Sequence, residues 1–268
     1  MKILIPSTNA RLGKSIVNLV AKQLPVKTLD ATIFTCNPLE QEDLLVKVAE
    51  AAKQHKADLI VLVDSISSES NRGDAYATFL RFTHHAPCPV LFIHDHEAPL
   101  KTEHERRILI ALDQTPQSDI LIRFLTRSDF ILPGTVKLLH VLEKASSVSQ
   151  LLPAWCDLHD DEVAQRRIWL RKQALALRCH YHSPKIEELV LEGNARTMIS
   201  EYAKEWQADA VVLGFHNPGK LDDIFHRGVA RPLLQQATCP VLLFGNGTAR
   251  ESDDSNRHQA EALVSSRP

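Results

Sequence analysis

The sequence lacks several features that would each have settled a class of function. No apolar run approaches the ~20 residues a membrane helix needs, which argues against a membrane protein. The opening MKILIPSTNARLGK has too short an apolar stretch for an export signal and no small-residue cleavage site, so it reads as a first strand. Cysteines number five, an odd count, and none form a C-x-x-C pair. Neither a disulfide framework nor a zinc site is indicated, and a cytoplasmic location fits best. A net charge of -2 gives no reason to expect nucleic acid or an anionic membrane as partner. There is no G-x-S-x-G, no Ser/His/Asp order and no paired-carboxylate motif. What is there is a soluble globular composition, 44% hydrophobic and 24% charged, in 268 residues, room for two ordinary domains.

One further absence matters. TNARLGKS, residues 8–15, follows the apolar run KILIP and precedes the apolar-periodic IVNLVAKQL. It has the Gly-Lys-Ser of a phosphate-binding P-loop, G-x-x-x-x-G-K-S/T, but Thr8 stands where the first Gly belongs. A β-branched residue resists the positive φ that curves such a loop. LIVLVD, ending at Asp64, mimics the Mg²⁺-holding strand of the same enzymes. An ATPase using Lys14 and Asp64 is thus set against an ordinary βα unit in which Lys14 opens a helix and Asp64 ends a strand, and the second is favoured.

The chain repeats itself. ADLIVLV (57–63) returns as ADAVVLG (208–214), and APCPVLFI (86–93) as ATCPVLLF (237–244), both at an offset of 151. KILIP (2–6) returns as RILIA (107–111) at an offset of 105. The second half therefore carries an insertion of 46 residues between its matching ends. Short continuous apolar runs predict parallel strands, covered on both faces, at 2–6, 28–35, 58–64 and 89–94, and at 209–214 and 240–244 in the second half. Residues 42–54 carry one apolar stripe at helical spacing, and Met198, Ile199, Tyr202, Ala203 and Trp206 repeat it. Strand and helix alternate without hairpin signals, which predicts a parallel α/β sheet. The inserted stretch reads as a helix over 160–180 and an edge strand over 185–192, with no counterpart in the first half. Residues 95–106 read as a polar linker, and the tail beyond 245 as a disordered end.

RILIALDQT (107–115), VKLLHVLE (136–143), EGNARTMISEYAKEWQADAVVLG (192–214), GKLDDIFHRGVARPLL (219–234) and ATCPVLLF (237–244) together resemble the universal stress proteins, UspA-like, in their tandem form. The resemblance covers most of the second half and, more loosely, the first strand and residues 57–93 of the first. It implies two flavodoxin-like (adenine nucleotide hydrolase-like) parallel-sheet domains packed as a pseudo-dimer, commonly with their last strands side by side. The expected bounds are a shortened domain at 1–97, a complete one at 104–246 and a tail at 247–268. The loop DQTPQSD (113–119), which aligns with TNARLGKS, has no Gly-Lys-Ser, so the P-loop reading loses its main support.

ATP-binding members of that family carry a Gly, two residues, a Gly, nine residues, then Gly-Ser/Thr; an Asp ending the first strand and a Val on the second contact adenosine. By position, Asp113 matches the Asp, Val141 the Val and Gly214 the first Gly. Asn217 stands at the second Gly, Arg227 at the third and Gly228 at the Ser/Thr. Asn tolerates a left-handed backbone. Arg227 would either fill the phosphate space or bind phosphate as a charged fork. Lys220 and His226 are nearby in sequence and are weighed as solvated loop residues first. The first half departs further: Pro6-Ser7-Thr8 replaces the Asp-bearing strand end and Val63 replaces the Gly, so no ATP site is expected there.

The remaining candidates read blandly. His84/His85, His94/His96 and His180/His182 lack the further ligands a metal site needs. Cys88 and Cys239, at equivalent positions before the last strand of each half, suggest packing. RRIWLRK (166–172) is read as a solvated helix face before a partner site. The expectation is a bacterial stress-response binding or regulatory protein, with no catalytic residues. It either binds adenine nucleotide (ATP or AMP, Mg²⁺ accompanying ATP) in its second half, or has a decayed site and acts through protein partners. A homodimer of the whole chain stays open.

Overall fold

The structure, a computed structural model, describes residues 1–7, 10–23, 30–35, 41–63, 72–93, 105–127, 134–143, 155–182, 185–214 and 228–245. In chain order the elements are β1 (Lys2–Ser7), α1 (Ala10–Gln23), β2 (Asp30–Thr35), α2 (Gln41–Gln54), β3 (Leu59–Val63), α3 (Arg72–His85) and β4 (Val90–Ile93) in the first half. The second half contributes β5 (Arg107–Ala111), α4 (Pro116–Arg127), β6 (Thr135–Leu142), α5 (Trp155–His180), β7 (Lys185–Glu192), α6 (Ala195–Glu205), β8 (Ala210–Gly214), α7 (Ala230–Gln236) and β9 (Val241–Phe244).

All nine strands form one sheet in the order β2-β1-β3-β4-β9-β8-β5-β6-β7. Among the described residues every pairing within a half is parallel, and the only antiparallel pairing is β4 with β9, Leu91 opposite Leu242. The last strands of the two halves are thus side by side, as the resemblance implied. Counted within itself, the second half runs 3-2-1-4-5; the described strands of the first half keep the same order without a strand three. The predicted edge strand is β7, and the predicted helix before it is α5, extended by a turn at its start.

Two apolar layers sandwich this sheet, which is why the strands read as unbroken apolar runs. On one face α1 (Ile16, Val20), α4 (Leu121, Leu125) and α5 (Leu170, Ala174, Leu177) cover Ile5, Val61, Ile110, Leu138 and Phe244. On the other face α2 (Val48, Ala52), α3 (Tyr76, Leu80), α6 (Ile199, Ala203) and α7 (Leu233, Leu234) cover Leu4, Ile60, Leu109, Leu139 and Val211. Cys88 and Cys239 are buried, in keeping with the packing role expected of them.

The sequence repeat has a hydrogen-bonded counterpart. At the end of α2, Ala57 N–H donates to Ala52 O and Lys56 N–H to Lys53 O; at the end of α6, Ala208 N–H donates to Ala203 O and Gln207 N–H to Lys204 O. Both are Schellman endings, with Lys56 (φ 50°) and Gln207 (φ 52°) in the left-handed position that glycine usually takes. The aspartate that follows each one ties the next strand to the first strand of its half. Asp58 Oδ2 accepts from Lys2 N–H at 2.7 Å, and Asp209 Oδ2 accepts from Arg107 N–H at 2.8 Å. The repeated Ala-Asp pair is therefore a helix stop followed by a strand clasp.

Candidate functional site

In a doubly wound sheet, ligands bind beyond the carboxyl ends of the strands where the strand order reverses. In the second half that place lies between β5 and β8. The register of the sheet sets three of the sequence-predicted residues there. Ala111 of β5 lies opposite Leu213 of β8 and Leu139 of β6. Asp113 is two residues beyond Ala111, Gly214 one beyond Leu213 and Val141 two beyond Leu139. The three thus stand at the same end of adjacent strands. Gly228 follows in chain order, two residues ahead of α7. Asn217 and Arg227, with Lys220 and His226, lie outside the described residues, as do Asp64, His94 and His96.

Asp113 is exposed, and its orientation is fixed. Its Oδ1 accepts from Thr115 N–H at 3.1 Å, from the Thr115 hydroxyl at 2.5 Å and from the Ser118 hydroxyl at 2.9 Å. Asp113 N–H in turn donates to Ser118 Oγ at 3.0 Å. These bonds load one carboxylate oxygen and leave Oδ2 without a partner among the described residues. Asp-x-Thr here is an Asx turn, and Ser118 at the start of α4 completes it. The DQTPQSD loop contains that turn signature, but sequence reading weighed it only for its missing Gly-Lys-Ser.

Beneath this loop lies a residue the sequence reading passed over. His140, buried on β6, places Nδ1 2.9 Å from Leu112 O. A carbonyl only accepts, so Nδ1 carries the proton. The ring meets Trp169 of α5 edge to face at 5.7 Å. The signal was present in VKLLHVLE, where His140 continues the inward-facing alternation of Val136 and Leu138. A second tie comes from α5: Arg166 Nη1 donates to Gln114 Oε1, while its Nη2 holds Glu162 at 2.9 Å. The segment from Leu112 to Ser118 is thus braced from below by β6, from one side by α5 and internally by its own turn.

Val141 is half-buried and packs with the layer of α6, on the opposite face of the sheet from His140. Gly214 has a packing reason to be glycine. A Cβ there would stand 3.0 Å from Gln117 Cβ, where the start of α4 crosses the end of β8. Its smallness is therefore required whether or not a ligand is bound.

The first-half counterpart is built differently. Ser7, fully buried, ends β1, and Val63, also buried, ends β3. Gly13, Lys14 and Ser15 lie inside α1, past its first turn, with Lys14 exposed. A Cβ on Gly13 would stand 2.4 Å from Ile33 Cγ2, so this glycine lets α1 lie close on β2. In a P-loop the Gly-Lys-Ser backbone wraps phosphate ahead of the helix; here helix geometry already commits those amides. The resemblance of TNARLGKS to a P-loop stops at its letters.

A family model described as the universal stress protein family matches residues 105–245. Universal stress protein G of Salmonella typhimurium is 30% identical over 129 residues, which is 47% of this chain and 87% of that protein. Among solved structures, a universal stress protein from Archaeoglobus fulgidus superposes with a TM-score of 0.51 at 14% identity, over 88% of this chain and 77% of that one. A protein of unknown function from Pseudomonas aeruginosa reaches 0.50 at 15% identity, over 96% and 86%. At these identities the structural likeness speaks for the fold alone. No helix among the described residues is long and apolar enough to cross a membrane.

Proposed function

Because the chain belongs to the universal stress protein family, we propose that it is a stress-response binding module whose second half takes an adenine nucleotide. The observation that carries this reading is Asp113. A carboxylate at the order-reversal point is locked through Oδ1 and offers Oδ2 outward, the arrangement needed to accept hydrogen bonds from a ribose or an adenine amine. In the proposal Val141 packs against the adenosine, while Gly214, Asn217 and Gly228 lie along the phosphates with Arg227 as a charged partner. Mg²⁺ would enter with ATP. The bounds that go with it are a nucleotide-binding unit at 104–246 and a shortened companion at 1–97 in which Ser7 and Val63 replace the Asp and Gly.

A second reading, an interaction protein with a decayed site, draws on Gly214, whose retention packing against Gln117 already explains. Calorimetric titration of the full chain with Mg-ATP separates the two. The expected result is one site per chain, weakened by about tenfold or more in Asp113→Ala, the loss typical of a hydrogen bond to a charged group. Absence of heat with ATP, ADP and AMP alike would reject nucleotide binding and leave the interaction reading. Two sites per chain would place a ligand in the first half and overturn the assignment to the second.

A further inference from the structure

Helix α5 has no counterpart among the described residues of the first half, and its two faces have opposite character. Leu170, Ala174 and Leu177 are fully buried against the sheet. On the outer side Arg167, Ile168, Arg171, Lys172 and Leu175 are all exposed. At 100° per residue these five span an arc of about 140°. The exposed apolar pair sits mid-arc, Ile168 at 58% and Leu175 at 59% exposure, seven residues apart, with cations on both flanks. Only one other large apolar side chain among the described residues, Val46, is comparably exposed.

The charge on this helix is one-sided. From Val163 to His180 it carries Arg166, Arg167, Arg171, Lys172 and Arg178, and no carboxylate. Two of these cations are engaged inward: Arg166 with Glu162 and Gln114, and Arg178 with Glu188 at 2.8 Å and with Ile186 O. Arg167, Arg171 and Lys172 have no ion pair or hydrogen bond among the described residues. Arg167 and Arg171 are an i,i+4 like-charge pair, which weakens a free helix. A face that exposes two aliphatic side chains and sets unpaired cations beside them is costly alone and favourable under an acidic, apolar cover.

We propose that the outer face of α5 docks an acidic amphipathic helix of a partner protein, with Ile168 and Leu175 as its apolar anchors and Arg167, Arg171 and Lys172 pairing with the partner's carboxylates. The anchors lie two helical turns apart, about 10.5 Å along the axis, so the partner offers apolar residues seven apart between glutamates or aspartates. A second copy of this chain does not fit, since α5 on α5 sets cations against cations. An anionic bilayer fits less well: it would face the molecule across its width, and the chain as a whole carries -2. The docking face stands independently of nucleotide binding.

The test uses the full chain and a labelled synthetic helical peptide with leucines seven residues apart flanked by glutamates, followed by fluorescence anisotropy. Binding that weakens with salt is expected, with a loss of about tenfold or more in Arg167→Glu/Arg171→Glu, the range seen when interfacial charge pairs are reversed. Ile168→Ser/Leu175→Ser is expected to bind more weakly while keeping the salt dependence. Circular dichroism on both exposed-site variants confirms that they fold. Equal binding by the charge-reversed variant, or equal binding of a peptide with lysine in place of glutamate, would overturn the proposal. So would co-sedimentation with phosphatidylserine-containing vesicles in the absence of peptide binding.

Discussion

Tyr181 follows α5 and donates its hydroxyl to Leu125 O at the end of α4. Burial pushes its phenol up to about 12, since the charged form is the one that desolvation penalises. The folded protein therefore keeps the proton to a higher pH than the unfolded chain does. This contribution to stability is fully present below the unfolded value near 10 and is lost as pH rises through about 12. Tyr181 is therefore expected to ionise in a late phase, near pH 12. Alkaline titration followed by tyrosinate absorbance checks this: Tyr181→Phe should remove the late phase and leave the rest. At the same scale, the placement of Asp113 just beyond β5 and of Val141 on β6 follows from the strands read in the sequence, while their role as a site comes from the family resemblance. His140 and Arg166 were not legible, because their roles depend on Leu112 O and Gln114, groups that only the packing of β6 and α5 on β5 brings within reach.

Elements were readable where one apolar period dominated. Continuous runs gave the strands, and the stripe in α2 reappeared in α6 because both helices cover the same face of the sheet. The Gly-Lys-Ser of α1 shows the limit: a glycine that admits a helix close to Ile33 and one that admits phosphate are the same letter. Helix endings show another. Nothing in KQHKADL announces a left-handed turn, since lysine replaces the usual glycine, yet Lys56 and Gln207 both adopt it. Such a residue bears a cost of about 1–2 kcal/mol that glycine avoids, partly offset by glycine's greater freedom in the unfolded chain. Lys56→Gly is accordingly expected to stabilise the protein by about 0.5–1 kcal/mol, read as a higher urea midpoint at unchanged slope. A lower midpoint would mean that the left-handed position is not strained for lysine here.

At the scale of the molecule the two halves share a sheet rather than merely touch. Val90, Leu91 and Phe92 of β4 and Val241, Leu242 and Leu243 of β9 are all buried, and each such side chain contributes about 1.5–3 kcal/mol by leaving water. Gly245 tightens the junction, because a Cβ there would stand 1.9 Å from Thr83 O of α3. Unfolding one half would strip this cover from the other, so a single cooperative transition is expected. The sequence supplies a probe: Trp155, Trp169 and Trp206 all lie in the second half, whereas far-ultraviolet circular dichroism reports both halves. The two signals should share one urea midpoint; dichroism falling first would show the first half melting by itself.

The β4–β9 pairing has a last consequence. Strands joined this way between separate chains would part on dilution, and their protomers would trade places with any other carrying the same edge. Here both strands belong to one chain, and the tether gives each an effective concentration of its partner on the order of millimolar, whatever the abundance of the protein. The junction persists at any dilution, and no other chain can be exchanged into it. Each half is thereby free to differ without having to remain compatible with copies of itself, and the presence of α5 and β7 in the second half, with no counterpart among the described residues of the first, is a difference of that kind.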